Sequence, residues 1–264
     1  MINAYVLSLN KEPRNEQLIP NLISADIKVN LLTGITPESA NNLPNINERR
    51  KFTLDRLKSQ SMNGFELACA LGHHKMYEQS ILKNDSCAFF FEDDAVLNLS
   101  EFLDFVSKVK YLPSGIFLLG ACGGAAWRKP LNVLEGNRQT AIYKVVENIV
   151  GGSHAYFADR NVISNLYKKS INLRSVSDKY PRSRKVRLYV VFPYVSTQQK
   201  NPIVLIHRDQ NLKQRSFILV LVTSIVQDIL DLAKFGFLSG RSLFFFSKFG
   251  FLKKIIILLP GCRD

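Results

Sequence analysis

The run CAFFF at residues 87–91 places the strongest constraint on the fold, because five consecutive apolar or small residues predict a strand that is buried on both faces. Such a strand needs a sheet with helices packed on both sides. A helix capped by Ser100 is predicted after it. Before it, residues 64–82 predict an amphipathic helix, whose inner face would contain Leu67, Ala70, Leu71, His74, Tyr77 and Ile81.

Other apolar runs predict the remaining strands of the same sheet. The run INAYVLSL predicts a first strand that ends near Leu9, and a helix is expected from about Arg14 to Ile23. Further strand candidates are IKVNLL, GIFLLGA, TAIYKVV, LYVVFPYV and PIVLIHRD, and GGSHAYFADRNVISNLYKKSI predicts a short strand that leads into a helix. Strands that alternate with helices in this way predict an α/β fold with a mostly parallel sheet and flanking helices.

Three carboxylates, Glu92, Asp93 and Asp94, follow the CAFFF strand directly. Ligands of parallel sheets bind beyond the carboxyl ends of the strands, which is where these residues are expected. Adjacent ionised carboxylates repel each other, and a divalent cation makes their proximity favourable. Their oxygen ligands suit Mn²⁺ or Mg²⁺, which also bind substrate phosphates. The alternative is that the three acids are solvated residues of a turn before a helix.

The segments around this cluster resemble glycosyltransferase family 25. GFELACALGHHKMYEQSI followed by CAFFFEDDAVL is similar to a family pattern in which a Gly-Glu-x-x-Cys-x-x-Ser-His helix precedes a strand ending in Glu-Asp-Asp. AYVLSLNKEPRN, LLTGITPES, GGSHAYFADRNVISNL and VSDKY resemble other family segments in the same order. The resemblance covers most of residues 1–207. It departs from the pattern at Gly72, where serine is usual, and at Phe65, which separates Gly64 from Glu66.

The resemblance implies a GT-A type, Rossmann-like nucleotide-binding sheet and an inverting sugar transfer. The donor would be a UDP-sugar, with galactose the first expectation and glucose the next. The acceptor would be a glycolipid or oligosaccharide in the synthesis of bacterial lipopolysaccharide or another surface glycan.

An inverting transfer needs a cation for the leaving diphosphate and a base for the acceptor hydroxyl. We expect Asp94 to be the first metal ligand, supported by Asp93 or Glu92. Strand alternation would place Glu92 and Asp94 on one side and point Asp93 away. His207 is a candidate for a distant metal ligand, although a lone histidine after a strand also has a purely structural interpretation. Asp178 is the candidate base, but its basic neighbours would lower its pKa, so an ion pair is an equal alternative.

Five residues are candidates for binding the nucleotide. Asn10 and Arg14 lie just beyond the first predicted strand, where they would meet the uridine or its phosphates. His73 matches the family's helix histidine and would bond the nucleotide or brace the acids, unless it is simply a satisfied buried histidine. Gly152 would permit close approach of the backbone to a ligand, or would form a turn. Glu92 is expected to contribute to the same site.

The formal charge of +13 is unevenly distributed along the chain. Residues 1–100 have a balance of −2 and residues 101–264 a balance of +15, with eight basic residues against one acid over residues 168–187. Such asymmetry favours an anionic partner. No zinc finger, RNP-like aromatic platform or helix-turn-helix pattern accompanies it, which argues against nucleic acid. We expect phosphate-rich glycolipid at an anionic membrane surface.

The segment from Ser216 differs from the rest of the chain. FILVLVTSIV is apolar over about ten residues, short of the ~20 that a spanning helix needs. Further on, Phe and Ile alternate with Lys and Arg, which suits a membrane interface. The alternative is a helix pair packed on the domain. The sequence therefore predicts a GT-A type domain over residues 1–215 and an apolar, basic helical tail over residues 216–264.

The four cysteines form no CxxC pair, and the N-terminus lacks the pattern of a secretory signal. We therefore expect a cytoplasmic protein attached peripherally to the inner face of the cell membrane. Two other functions remain open at this stage. One is a non-catalytic basic adaptor or membrane-surface binding protein, and the other is a metal-dependent phosphohydrolase.

Overall fold

The computed structural model describes residues 1–9, 13–43, 64–120, 124–127, 131, 140–145, 152–171, 186–199 and 243–246. The chain divides into two compact units, Met1–Gln199 with Leu243–Asp264 and Lys200–Ser242. All the described residues belong to the first unit. The predicted domain boundary after residue 215 lies outside the described ranges and stays a prediction. Of the predicted helical tail, only residues 243–246 are described, and they form a strand that pairs with residues 124–127, so the prediction of a helix is wrong for these four residues.

Within the described ranges the chain forms a mixed α/β fold around a seven-stranded sheet. The strands are, in chain order, β1 (Ile2–Ser8), β2 (Ile27–Thr33), β3 (Cys87–Glu92), β4 (Ala95–Leu97), β5 (Ile116–Leu118), β6 (Gly124–Trp127), β7 (Ala141–Lys144), β8 (Ala155–Asp159), β9 (Leu188–Phe192), β10 (Ser196–Gln198) and β11 (Leu243–Phe246). The large sheet has the order β2-β1-β3-β8-β5-β9-β7. Strands β4 and β10 form one antiparallel pair, and β6 and β11 form another.

The large sheet is mostly parallel, as predicted. Strand β1 pairs in parallel with β2 and β3, and β5 pairs in parallel with β9. Strand β8 is antiparallel to both β3 and β5, and β7 is antiparallel to β9. Five of the seven strands therefore run in one direction.

Five α-helices flank the sheets in the described part of the chain: α1 (Leu18–Ser24), α2 (Pro37–Asn41), α3 (Gly64–Leu82), α4 (Leu99–Lys108) and α5 (Arg160–Ser170). The helix predicted over residues 64–82 is confirmed by α3. Its buried face includes His73 rather than the expected His74. Helix α4 begins at Leu99 with Asn98 at the N-cap, so the predicted Ser100 cap is wrong. None of the described helices combines the length and apolarity that a membrane span requires.

The CAFFF strand is buried on both faces, as its sequence predicts. Phe90 stacks between Tyr5 and Tyr156, with ring centroids 5.8 and 5.1 Å apart. Phe89 and Phe91 pack on the opposite face against Phe102 of α4. Because successive side chains of a strand point to opposite faces, three consecutive phenylalanines contribute to two separate cores.

The β1 and β3 strands end at the same edge of the sheet, where Leu7 is in register with Glu92. Strand β8 runs the other way, so the residues that precede it, 152–154, lie at this edge as well. Helix α3 packs closely on β1 here. The approach is so close that a Cβ on Gly72 would lie 2.3 Å from Leu7 Cδ2. Leu7 thus occupies the space that a serine would need, which gives a packing reason for the glycine.

Candidate active site

The three carboxylates are divided between a strand and a turn. Glu92 is the last residue of β3, and Asp93 and Asp94 form the turn that leads into β4. The backbone N–H of Asn15 donates to the Asp93 carbonyl at 2.9 Å, and the Asn15 side chain donates to the Ala95 carbonyl at 2.6 Å. These bonds hold the segment after β1 against the acidic turn, and α1 consequently begins at Leu18 rather than near Arg14.

Asp93 is buried and bound through both of its carboxylate oxygens. Ser8, at the end of β1, donates its hydroxyl to Oδ2 at 2.8 Å. The Nε and Nη2 atoms of Arg14 both lie 2.7 Å from Oδ1. The guanidinium therefore neutralises the Asp93 charge, and its second contact, Nη2 to Asp94 Oδ2 at 3.3 Å, joins the two carboxylates.

Asp94 has one carboxylate oxygen whose burial is not offset by a hydrogen bond within the described part of the chain. Its Oδ1 is buried and has no hydrogen-bond partner among the described residues. Burial and the negative charge of Glu92 raise the pKa of Asp94 to about 6, with a further contribution from Asp93 and against the effect of Arg14. A buried carboxylate oxygen in this state is costly, and a bound cation would remove the cost.

The strand alternation expected for the acids does not extend through the turn. We expected Asp93 to point away from Asp94, but both carboxylates contact the same guanidinium. The physical reason is that β3 ends at Glu92, so the period of two applies only up to that residue.

Glu92 accepts hydrogen bonds from three side chains through Oε1. Ser153 Oγ lies at 2.7 Å, His73 Nε2 at 3.2 Å and Cys69 Sγ at 3.7 Å. Burial alone would raise the pKa of Glu92, but the hydrogen bond and charge of His73, with the Ser153 hydroxyl and His154, lower it to about 2. Glu92 is therefore ionised throughout the physiological pH range.

A buried chain of polar groups extends from Glu92 into the core. His73 is 2% exposed, and its Nδ1 lies 2.8 Å from the hydroxyl of Tyr156. The Tyr156 hydroxyl in turn donates to the hydroxyl of Tyr77 at 2.7 Å. The chain fixes the orientation of the His73 ring relative to Glu92.

A second histidine, His154, lies at the same edge. Its carbonyl accepts the backbone N–H of Glu92 at 2.9 Å. Its ring is buried, and burial lowers its pKa, against the opposing effects of the Glu92 charge and the Ser196 carbonyl. Neither ring nitrogen forms a hydrogen bond of good geometry with the described residues. Gly120 makes room for the ring, because a Cβ there would lie 2.3 Å from both His154 Nε2 and the Ser196 oxygen.

Five of the candidate residues from the sequence form two contacting groups at this edge of the sheet: Arg14 with Asp93 and Asp94, and His73 with Glu92. The charge of Glu92 raises the pKa of Asp94, which couples the two groups electrostatically. Gly152 has a φ of 125°, a backbone conformation that favours glycine, and precedes the Ser153 that binds Glu92. The other candidates, Asn10, Asp178 and His207, lie outside the described residues, so their proposed roles stay predictions.

Several contributors were missed from the sequence: Ser8, Cys69, Ser153, His154 and Tyr156. Two local signals could have identified some of them. Cys69 precedes His73 by one helical turn, and it belongs to the family pattern that the helix resembles. Ser153 and His154 directly precede a predicted strand, at the edge where an antiparallel neighbour of β3 would begin. Nothing in the sequence indicates that Tyr156 would support His73.

Comparisons with solved structures find distant similarities. The apo form of a UDP-glucose pyrophosphorylase is 11% identical, with 75% of this chain and 92% of that chain covered and a TM-score of 0.38. A197 from STIV is 13% identical, with coverages of 72% and 81% and a TM-score of 0.33. A mannose-1-phosphate geranyltransferase from Thermus thermophilus is 11% identical, with coverages of 71% and 58% and a TM-score of 0.25.

No curated protein sequence is significantly similar to the chain. A family model, glycosyltransferase family 25 (LPS biosynthesis protein), matches residues 1–180, which include the three acids Glu92, Asp93 and Asp94 and the histidines His73 and His154. The match agrees with the resemblance of the α3 and β3 segments. The chain therefore belongs to glycosyltransferase family 25.

Proposed function

We propose that this family member is a metal-dependent, inverting glycosyltransferase that moves a hexose from a UDP-sugar to a glycan acceptor. Galactose is the first candidate for the sugar and glucose the second. The acceptor is a glycolipid or oligosaccharide of bacterial lipopolysaccharide or another surface glycan. Family membership supports the transfer of a sugar, and the finer features rest on the residues at the sheet edge.

The observation that carries the proposal is the buried Asp94 Oδ1, which has no partner among the described residues. A hard divalent cation such as Mn²⁺ or Mg²⁺ suits a carboxylate oxygen in this setting. When bound, such an ion would neutralise charge on a leaving diphosphate. Asp93 is a weaker candidate ligand than Asp94, since Arg14 and Ser8 already occupy both of its oxygens.

The neighbouring residues have supporting tasks in this proposal. Arg14 keeps 40% of its side chain exposed while it contacts both aspartates, so its guanidinium can also face a phosphate. His73 and Ser153 hold the Glu92 carboxylate in one orientation. Gly152 presents backbone without a side chain next to them. Asp178 stays the candidate for the base that takes the proton of the acceptor hydroxyl.

Attachment to the membrane is part of the same proposal. The balance of +15 over residues 101–264 and the apolar, basic segment from Ser216 support binding to anionic lipid at the inner face of the cell membrane. A cytoplasmic location would give the enzyme access to a UDP-sugar and to a lipid-linked acceptor.

Calorimetry with UDP and Mn²⁺ tests the catalytic proposal. We expect the wild-type protein to bind UDP only when Mn²⁺ is present, and Asp94→Asn to lose this dependence. The matched control is Asp26→Asn, which removes the same charge from an exposed turn. Equal metal-dependent binding by the wild type and Asp94→Asn would refute the role of Asp94. Absence of binding by the wild type would favour the non-catalytic adaptor.

A further inference from the structure

A thiol, an imidazole and a carboxylate meet beside the acidic turn. One potential ligand atom from each of Cys69, His73 and Glu92 lies within 4.8 Å of the other two. Glu92 Oε1 is 3.7 Å from Cys69 Sγ and 3.2 Å from His73 Nε2. We propose that these three residues form a second cation site, for Zn²⁺ or a similar transition-metal ion, separate from the Mn²⁺ or Mg²⁺ assigned to Asp94.

The spacing of the ligand atoms is close to that of a tetrahedral site. With metal–ligand distances of about 2.3 Å for sulfur and about 2.0–2.2 Å for nitrogen and oxygen, tetrahedral angles separate sulfur from oxygen by about 3.6 Å and nitrogen from oxygen by about 3.4 Å. The observed separations, 3.7 and 3.2 Å, are close to these values, and the sulfur and the nitrogen lie within 4.8 Å of each other. The carboxylate oxygen therefore already has a tetrahedral spacing to both other ligands, and the ion would draw the sulfur and the nitrogen together.

The elements of the fold bring the ligands together. Cys69 and His73 are four residues apart on α3, so they share one face of the helix. That face meets the carboxyl end of β3, where Glu92 is the last residue. The site thus combines one helical turn with one strand end, both of them regular elements that hold side chains more firmly than a loop does.

The hydrogen bonds of the Tyr156 hydroxyl prepare His73 to be a ligand. Tyr156 donates its hydrogen to Tyr77, so its oxygen can accept from His73 Nδ1–H. Binding of the ion uses the tautomer that carries the proton on Nδ1, in which the lone pair of Nε2 points toward Glu92 Oε1, 3.2 Å away, in place of the hydrogen bond from Nε2–H to Glu92. A partner on the far nitrogen is the usual second contact of a metal-bound histidine.

The charges also match a divalent ion. A thiolate and the ionised Glu92 contribute two negative charges, and a neutral imidazole contributes none, so the occupied site has no net charge. Cys69 would release its thiol proton to solvent as the ion binds. A mixture of sulfur, nitrogen and oxygen ligands suits Zn²⁺, whereas the carboxylate oxygen of Asp94 suits Mn²⁺ or Mg²⁺. Three protein ligands leave a fourth position open, as in zinc sites that bind water or substrate.

Cobalt titration of the full-length protein, reduced and freed of metal by a chelator, tests the proposal. We expect Co²⁺ to produce a thiolate-to-cobalt charge-transfer band that saturates at one equivalent and that Zn²⁺ displaces. Cys69→Ser should lose the band, and the control Cys87→Ser, at the start of β3, should keep it. Tyr156→Phe should keep the band but weaken cobalt binding by about tenfold or more, because it removes the partner of His73.

A second measurement covers the possibility that Cys69→Ser does not fold. In the wild-type protein, Zn²⁺ should slow alkylation of Cys69 and leave that of Cys87 unchanged, as measured by peptide mass spectrometry. Absence of cobalt binding, a band that persists in Cys69→Ser, or alkylation of Cys69 that Zn²⁺ does not slow would overturn the proposal. Those results would leave His73 and Glu92 as a hydrogen-bonded pair.

This inference goes beyond the proposed function, because neither the sugar donor nor the acceptor takes part in it. Asp94→Asn separates the two. We expect that variant to lose Mn²⁺-dependent UDP binding and to keep the cobalt–thiolate band. Loss of the band in Asp94→Asn would contradict a separate site, whatever happens to UDP binding.

Discussion

Replacement of Arg14 by glutamine should destabilise the protein through the acidic turn. In the structure, two guanidinium nitrogens lie 2.7 Å from Asp93 Oδ1, and one of them lies 3.3 Å from Asp94 Oδ2. The Asp93 side chain is only 7% exposed, whereas that of Arg14 is 40% exposed. Arg14→Gln therefore leaves the buried partner of an ion pair without its counter-charge.

The expected loss lies between two limits. Removal of one partner of a fully buried ion pair costs about 3–5 kcal/mol, whereas exposed pairs contribute about 0–1 kcal/mol. Asp93 is buried, but it keeps its hydrogen bond from Ser8, and the space left by the exposed Arg14 would be open to water. We therefore expect Arg14→Gln to lower the free energy of unfolding by about 2 kcal/mol.

Urea unfolding of a double-mutant cycle provides the assay. The four proteins are the wild type, Arg14→Gln, Asp93→Asn and the double variant, with Lys28→Gln as an exposed control for loss of a positive charge. We expect a coupling free energy of about 1–2 kcal/mol between the two positions. Arg14→Gln leaves a buried, unpaired negative charge on Asp93, and Asp93→Asn removes that charge. Additivity within about 0.5 kcal/mol would refute the argument that Arg14 acts through Asp93.

Two further predictions concern pH and the C-terminal segment. The pKa of Asp94, raised to about 6 from 3.8, means that the folded state binds more protons than the unfolded state between these values. In metal-free buffer the free energy of unfolding should therefore contain a contribution that falls as pH rises from about 4 to about 6. Asp94→Asn should remove it and be more stable than the wild type by about 1 kcal/mol at pH 7, after allowance for solvent screening. Chemical denaturation at several pH values measures this, and an Asp94→Asn variant less stable than the wild type at pH 7 would contradict it. Deletion from Ser216 onward should release the protein from anionic vesicles in a sedimentation assay, with neutral vesicles as the control, and unchanged sedimentation would exclude this segment as the anchor.

Local patterns were sufficient for much of the fold. The CAFFF run and the spacing of apolar residues over 64–82 correctly indicate β3 and α3, because burial on both faces of a strand and on one face of a helix leaves a periodic trace in the sequence. The start of α1 was placed too early. Asn15 has no local feature that excludes it from a helix, and its bonds to the β3–β4 turn reach residues about 80 positions away.

In the candidate active site, too, some features could be predicted from local sequence patterns and others depend on distant contacts. Its acids and its helix histidine could be located from the sequence, because charged residues directly after a buried strand stand out locally. Their partners could not be deduced. Arg14 binds Asp93 across a separation of 79 residues, and Ser153 binds Glu92 across 61. Such contacts depend on which strands become neighbours, and the antiparallel placement of β8 between β3 and β5 has no signature within any single segment.

The sequence by itself thus determined the class of fold, the family and the position of the acidic turn along the chain, since each of these depends on residue types at short spacing. The tertiary structure alone decided which carboxylate is neutralised by Arg14, which is left with a buried oxygen, and which one meets Cys69 and His73. The physical reason is that the charge and pKa of a buried group depend on neighbours within a few ångströms. Those neighbours come from distant parts of the chain and meet only when the sheet has formed.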